Sequence, residues 1–72
     1  DVLDPAYAPG VGNPEAVGIT SRELFDMIHS FEETKVTGID IVELNPYHDN
    51  GATASLAAKI ISTMIAMNLS QK

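Results

Sequence analysis

One short segment constrains this chain more than any other. Residues 36–44 carry Val36, Ile39, Ile41, Val42 and Leu44 with little alternation, the pattern of a parallel strand covered on both faces. Asn45-Pro46 then stops it. Within such a strand Asp40 and Glu43 point to opposite sides, because successive side chains alternate. A single strand makes no sheet. Its neighbours must come from the rest of a larger α/β protein or from another chain.

The flanking segments read as helices. Thr20 followed by Glu23 matches a capping box, in which each side chain satisfies an orphan N–H at a helix start. Leu24, Met27, Ile28 and Phe31 then recur at i, i+3, i+4 and i+7, forming one apolar face that Phe25 widens. This spacing predicts a helix from residue 20 to about 33 or 34. A second helix is predicted over about 52–69, with Leu56, Ile60, Met64 and Met67 along one side and Ala57, Ile61 and Ile65 beside them. The methionines are read as core residues.

Residues 1–19 are different. They hold three of the four prolines and three of the five glycines, which excludes a helix or a central strand. Val2, Leu3, Tyr7, Val11 and Val17 are interleaved among them, so the composition is not that of a linker. A long loop of this kind is expected to be ordered and functional. The whole order is loop, helix, strand, helix.

Size and charge exclude several classes. Seventy-two residues make at most one small domain, and a chain this short buries only ~60% of its unfolded surface. There are no cysteines, hence no disulfide and no thiolate metal site. That absence, with no visible signal peptide, leads to a cytoplasmic expectation. Ten acidic residues against four basic ones give a net charge of −6. Arg22, Lys35, Lys59 and Lys72 are scattered, so no nucleic-acid footprint is present. The most apolar stretch, residues 56–69, is interrupted by Lys59, Ser62, Thr63 and Asn68 and falls short of a membrane span. Neither nucleic acid nor membrane is expected as a partner. The first residue is aspartate rather than methionine, as expected of a cleaved product or a partial sequence.

Three constellations could carry chemistry. Asp1 and Asp4 offer hard carboxylate oxygens that suit divalent cations, although Asp4 before Pro5 is equally a turn opener. Glu43 stands at the carboxyl end of the predicted strand, where open parallel sheets bind ligands. It either pairs with a planar guanidinium group or is a solvated acidic residue. His48-Asp49 supplies a possible metal ligand or acid–base group, or simply a loop; His29 on a helix surface is read the same way.

Taken together, these segments resemble a known family. Asp1-Val2-Leu3-Asp4-Pro5-Ala6-Tyr7-Ala8-Pro9-Gly10-Val11-Gly12-Asn13-Pro14-Glu15 is similar to the ureohydrolase pattern Ser-x-Asp-x-Asp-x-x-Asp-Pro-x-x-x-Pro-Gly-x-Gly-Thr-Pro-Glu. Thr20 to Glu23 resembles the family's next helix start. Gly38 to Pro46, then Asp49 and Ala57-Ala58-Lys59, resemble its final strand and helix. The similarity covers essentially the whole chain in order and spacing.

The resemblance implies an α/β class, with residues 1–72 forming the C-terminal part of one domain. That domain is a three-layer α/β/α fold with a mainly parallel sheet, and its upstream part is absent here. It implies two manganese ions (Mn2+) bridged by a hydroxide that attacks a guanidinium carbon and releases urea, chemistry that two metals supply well. By this resemblance Asp1 is a metal ligand, the second Asp of the Asp-x-Asp pair, and Glu43 binds the substrate guanidinium. Asp40 is structural and Asp4 organises the loop. Asn13 replaces a common Thr near the substrate, and Val17 replaces one glycine of a Gly-Gly pair. The family's remaining ligands and its proton-shuttle His lie upstream, so the isolated chain is expected to be inactive and no catalytic residue is assigned within it.

The favoured expectation is therefore a segment of a manganese-dependent amidinohydrolase acting on a small guanidino substrate. An agmatine-like substrate is preferred over arginine or formiminoglutamate. The full-length protein is expected to be a homo-oligomer. The alternative is a noncatalytic binding or assembly module derived from the same fold.

Overall fold

The computed structural model describes residues 1–70. Among these residues there are two helices, α1, Ser21–His29, and α2, Ala52–Ser70, with a short 3₁₀ turn at Pro46–His48 between them. The capping box at α1 is complete. Thr20 Oγ1 accepts the Glu23 N–H at 3.0 Å, and Glu23 Oε1 accepts the Thr20 N–H at 2.9 Å. These reciprocal bonds satisfy two helix-start donors that would otherwise lack partners.

α1 ends four to five residues before the predicted end. The Ser30 N–H is shared between the Asp26 and Met27 carbonyls, and Phe31, Glu32 and Thr34 each donate to the third residue before them. The Ser30 hydroxyl also donates to the Met27 carbonyl at 2.5 Å. A serine bonding its own backbone competes with the helical ladder, and the chain tightens into consecutive turns. Ile28 is buried, whereas Met27 and Phe31 remain half exposed.

The strand expected over residues 36–44 does not form. Among the described residues the only β-pairing consists of isolated bridges, parallel between Leu3 and Ile19 and antiparallel between Val11 and Leu44. The reason is physical: a strand is stabilised by backbone bonds to neighbours, and this segment has one bridge at its end. Glu43 also adopts φ +68°, outside the β region, so the expected alternation between Asp40 and Glu43 breaks there. Ile39, Ile41, Val42 and Leu44 stay exposed.

α2 matches its predicted limits to within a residue. It buries Thr53 and Ala57, while Ile61, Ile65 and Leu69 face outward. Lys59 lies over the Phe25 ring, its Nζ 5.7 Å from the centroid, a cation–π arrangement that joins α2 to α1. By length and composition alone Ala52–Leu69 could cross a membrane, a criterion that core helices also meet. That 18-residue window is long enough for a span, where the stretch 56–69 taken alone fell short.

The core is small. Among the described residues Ala8, Val11, Ile28 and Ala57 are its buried apolar members, and no large side chain is fully buried. The long loop nevertheless has defined geometry. Asp4 N–H donates to the Ile19 carbonyl at 2.9 Å, and Ile19 N–H to the Val2 carbonyl at 3.0 Å. Gly18 sits so close that a Cβ there would lie 2.4 Å from the Asp4 nitrogen and 2.6 Å from the Leu3 carbonyl carbon. Gly18→Ala is therefore expected to destabilise the fold by about 2–3 kcal/mol, the upper range for forced overpacking. A chemical-denaturation midpoint checks this, and an unchanged midpoint would show that the two passes of chain are free to separate.

Candidate functional site

Asp4 holds the first loop together. Its Oδ1 accepts the Ala6 N–H at 2.9 Å and its Oδ2 accepts the Gly18 N–H at 3.2 Å. The Ala6 bond, with help from Gly18 and Val17 and against partial desolvation, holds the carboxyl below the usual carboxylate range. Both oxygens are thereby occupied by the loop, as expected of an organising residue. Val17, beside this turn, has φ +66° and an almost fully exposed side chain. A β-branched residue is strained in that region, which explains physically why glycine suits the position.

A second cluster fastens residues 10 and 11 to the segment that follows Glu43. Gly10 N–H donates to Thr53 Oγ1 at 2.8 Å, and the Gly10 carbonyl accepts the Asn45 N–H at 2.6 Å. The Val11 carbonyl accepts from His48 Nδ1, and Val11 bridges Leu44. Asp49 backs this cluster. Its Oδ2 accepts the Thr53 hydroxyl at 2.6 Å and the Thr53 N–H at 2.9 Å, and its Oδ1 accepts the Gly51 N–H at 3.0 Å. The Thr53 hydroxyl, then the Gly51 and Thr53 N–H groups, hold Asp49 below its ordinary pKa. A Cβ on Gly10 would lie 2.9 Å from the Asp49 carboxyl, so only glycine lets the loop approach this closely.

Of the candidate site residues, Asp1 borders that cluster, as do the two neighbours of Glu43. Asp1 is exposed and lines a cavity of about 70 Å³ with Val11, Val42, Leu44 and Thr53. Glu43 lies between Val42 and Leu44, exposed, with its backbone in the left-handed region. Asn13 is exposed two residues beyond the Val11 bridge and outside the cavity lining. Asp40 is exposed, as are His29 and His48. His48 is committed to the Val11 carbonyl, which supports its loop reading. Among the described residues no group of three or more His, Cys, Asp or Glu gathers in a way that could hold a metal ion. Asp1 has the hard oxygen donors a divalent cation prefers, but it supplies one side chain only.

Sequence reasoning passed over Thr53, and named Gly10 within the family pattern without a tie to the rest of the chain. Asp49 does accept the Thr53 N–H at the start of α2, but the bond from Thr53 back to Gly10 spans 43 positions and leaves no local trace.

These features describe a helical segment with a tied loop, one carboxylate at a cavity and a second on strained backbone. A model of the arginase family matches residues 1–67, and the chain belongs to that family. It is 48% identical over 68 residues to an agmatinase of Bacillus subtilis, covering 90% of this chain and 23% of that protein. It is 44% identical over 66 residues to the mitochondrial guanidino acid hydrolase of Homo sapiens, covering 90% and 19%. Among solved structures, the agmatine ureohydrolase of Thermoplasma volcanium superposes with a TM-score of 0.85 at 43% identity, over 94% of this chain and 23% of that one. The proclavaminate amidino hydrolase of Streptomyces clavuligerus gives 0.91 at 33%, over 99% and 24%. These neighbours have α/β ureohydrolase folds. The chain spans about a fifth to a quarter of the length of the relatives it matches.

Proposed function

We propose that this chain is the substrate-anchoring segment of a manganese-dependent amidinohydrolase that converts a small guanidino compound to an amine and urea. The arginase-family match over residues 1–67 carries this reading. Agmatine is the favoured substrate, supported by the similarity to the Bacillus subtilis agmatinase and the Thermoplasma volcanium ureohydrolase. The chain would take its place in a three-layer fold whose parallel sheet supplies strand neighbours for residues 36–44. The exposed Ile39, Ile41, Val42 and Leu44 are the faces such neighbours cover.

Glu43 has the chemistry to anchor the substrate. A carboxylate accepts two parallel N–H bonds from a planar guanidinium, which fixes orientation as well as charge. Its left-handed backbone is strain of a kind that gathers at functional sites. Asn13 contributes a side-chain amide near the substrate and so bears on which guanidino compound fits. Asp1 is one ligand of a manganese site whose other donors belong to the rest of the fold. When bound, the metal pair supplies a nucleophile near neutral pH and stabilises developing charge. Asp1 and Glu43 thus divide their labour, one toward the metal and the other toward the cation. Alone, the chain lacks the donors for catalysis and is inactive.

The test is urea release by the complete manganese-loaded protein with agmatine, arginine and guanidinobutyrate. Formamide release from formiminoglutamate is followed in parallel. Turnover of agmatine with the highest kcat/KM is expected. No turnover of any of the four would overturn the reading in favour of a noncatalytic module, and formamide alone would reassign the substrate.

A further inference from the structure

The cluster around Gly10 occupies an unusual place in the chain. It joins the two segments that carry the proposed substrate-binding residues, because Asn13 follows Val11 by two positions and Glu43 immediately precedes Leu44. Residues 10 and 11 are held to residues 44–53 by both Gly10 backbone groups, by the Val11 carbonyl and by the Val11–Leu44 bridge. Thr53 is central to this arrangement. Its hydroxyl accepts from Gly10 and donates to Asp49, and it is among the few buried polar side chains. A threonine whose hydroxyl has both roles filled is fixed in one rotamer, and so is the loop bonded to it.

We propose that Thr53, backed by Asp49 and assisted by His48, is a positioning residue that sets the spacing between Asn13 and Glu43 and thereby the fit of the guanidino substrate. This rests on the function proposed above. Thr53 does not touch the substrate; it acts through Gly10 and the loop leading to Asn13. His48 acts on the same loop through Val11. The left-handed backbone of Glu43 needs surrounding structure to hold it, and the Val11–Leu44 bridge and the Asn45–Gly10 bond flank it on its C-terminal side. An anchor displaced by about 1 Å loses roughly 100-fold in rate, so a loosened tie is expected to appear in kinetics before it appears in folding.

The experiment uses the complete manganese-loaded protein and reads kcat/KM per manganese-loaded site, with thermal midpoint and metal content measured alongside. Thr53→Val keeps the side-chain shape and removes both hydrogen-bonding roles. It is expected to lower kcat/KM by about 10- to 100-fold, with metal content retained and Thr53→Ser restoring most of the loss. His48→Ala, at an exposed position, tests the same loop should Thr53→Val fold poorly, and is expected to lower kcat/KM by a smaller factor in the same direction. In a Glu43→Gln background Thr53→Val is expected to cost less than about twofold more, because two residues acting through one contact are not additive. Full additivity, or Thr53→Val and His48→Ala sites as active as wild type, would overturn the positioning role while leaving the proposed reaction intact. An inactive wild-type protein would overturn both.

Discussion

Glu43→Gln is expected to lower kcat/KM of the complete protein by about two to three orders of magnitude while its manganese content stays near that of wild type. The side chain keeps its length and one oxygen acceptor but loses its charge and the second acceptor that a guanidinium requires for paired bonding. Removing one partner of a close charge pair costs several times more than a neutral hydrogen bond. The amide also places an N–H group against the substrate's own N–H donors. The loss appears in steady-state kinetics with saturating manganese. A Glu43→Gln protein with wild-type kcat/KM would remove Glu43 from substrate binding and leave it an exposed acidic residue.

Asp1→Asn is expected to act on the metal instead. A neutral amide is a poorer ligand for a hard divalent cation than a carboxylate. Residues that only support metal ligands already change affinity by about 10- to 100-fold when altered, so loss of a direct carboxylate is expected to weaken manganese binding by at least about 100-fold. Activity should then recover in part at high added manganese. Titration with manganese followed by urea release separates this from a defect in substrate binding, which added metal does not repair. Wild-type metal affinity in Asp1→Asn would withdraw the ligand assignment.

What could be read from the residues alone divides along a physical line. The Thr20–Glu23 capping box and the extent of α2 were legible because both depend on neighbours a few positions away. Local serine chemistry at Ser30 shortened α1, and periodicity carries no warning of it. The strand over residues 36–44 was read from an apolar pattern that describes burial between partners. Without those partners the segment pairs, among the described residues, only at Leu44, so the pattern reports on a larger fold than the chain itself makes. The left-handed backbone at Glu43 has no signature in a glutamate, since such conformations are foretold by glycine or asparagine. The Gly10–Thr53–Asp49 tie was invisible for a different reason, the 43 positions between its ends.

The roles of Asp1, Glu43 and Asn13 rest on resemblance to family motifs and on the chemistry of their side chains. The structure adds where they stand: Asp1 at a cavity shared with both neighbours of Glu43, and Asn13 just beyond the tied loop. The proposed division of labour is therefore one carboxylate for metal and one for a cation. It is tested most directly by counting manganese ions per protein in purified Glu43→Gln and Asp1→Asn side by side. Full occupancy in Glu43→Gln with depletion in Asp1→Asn is the expected result. Depletion in Glu43→Gln with full occupancy in Asp1→Asn would contradict it.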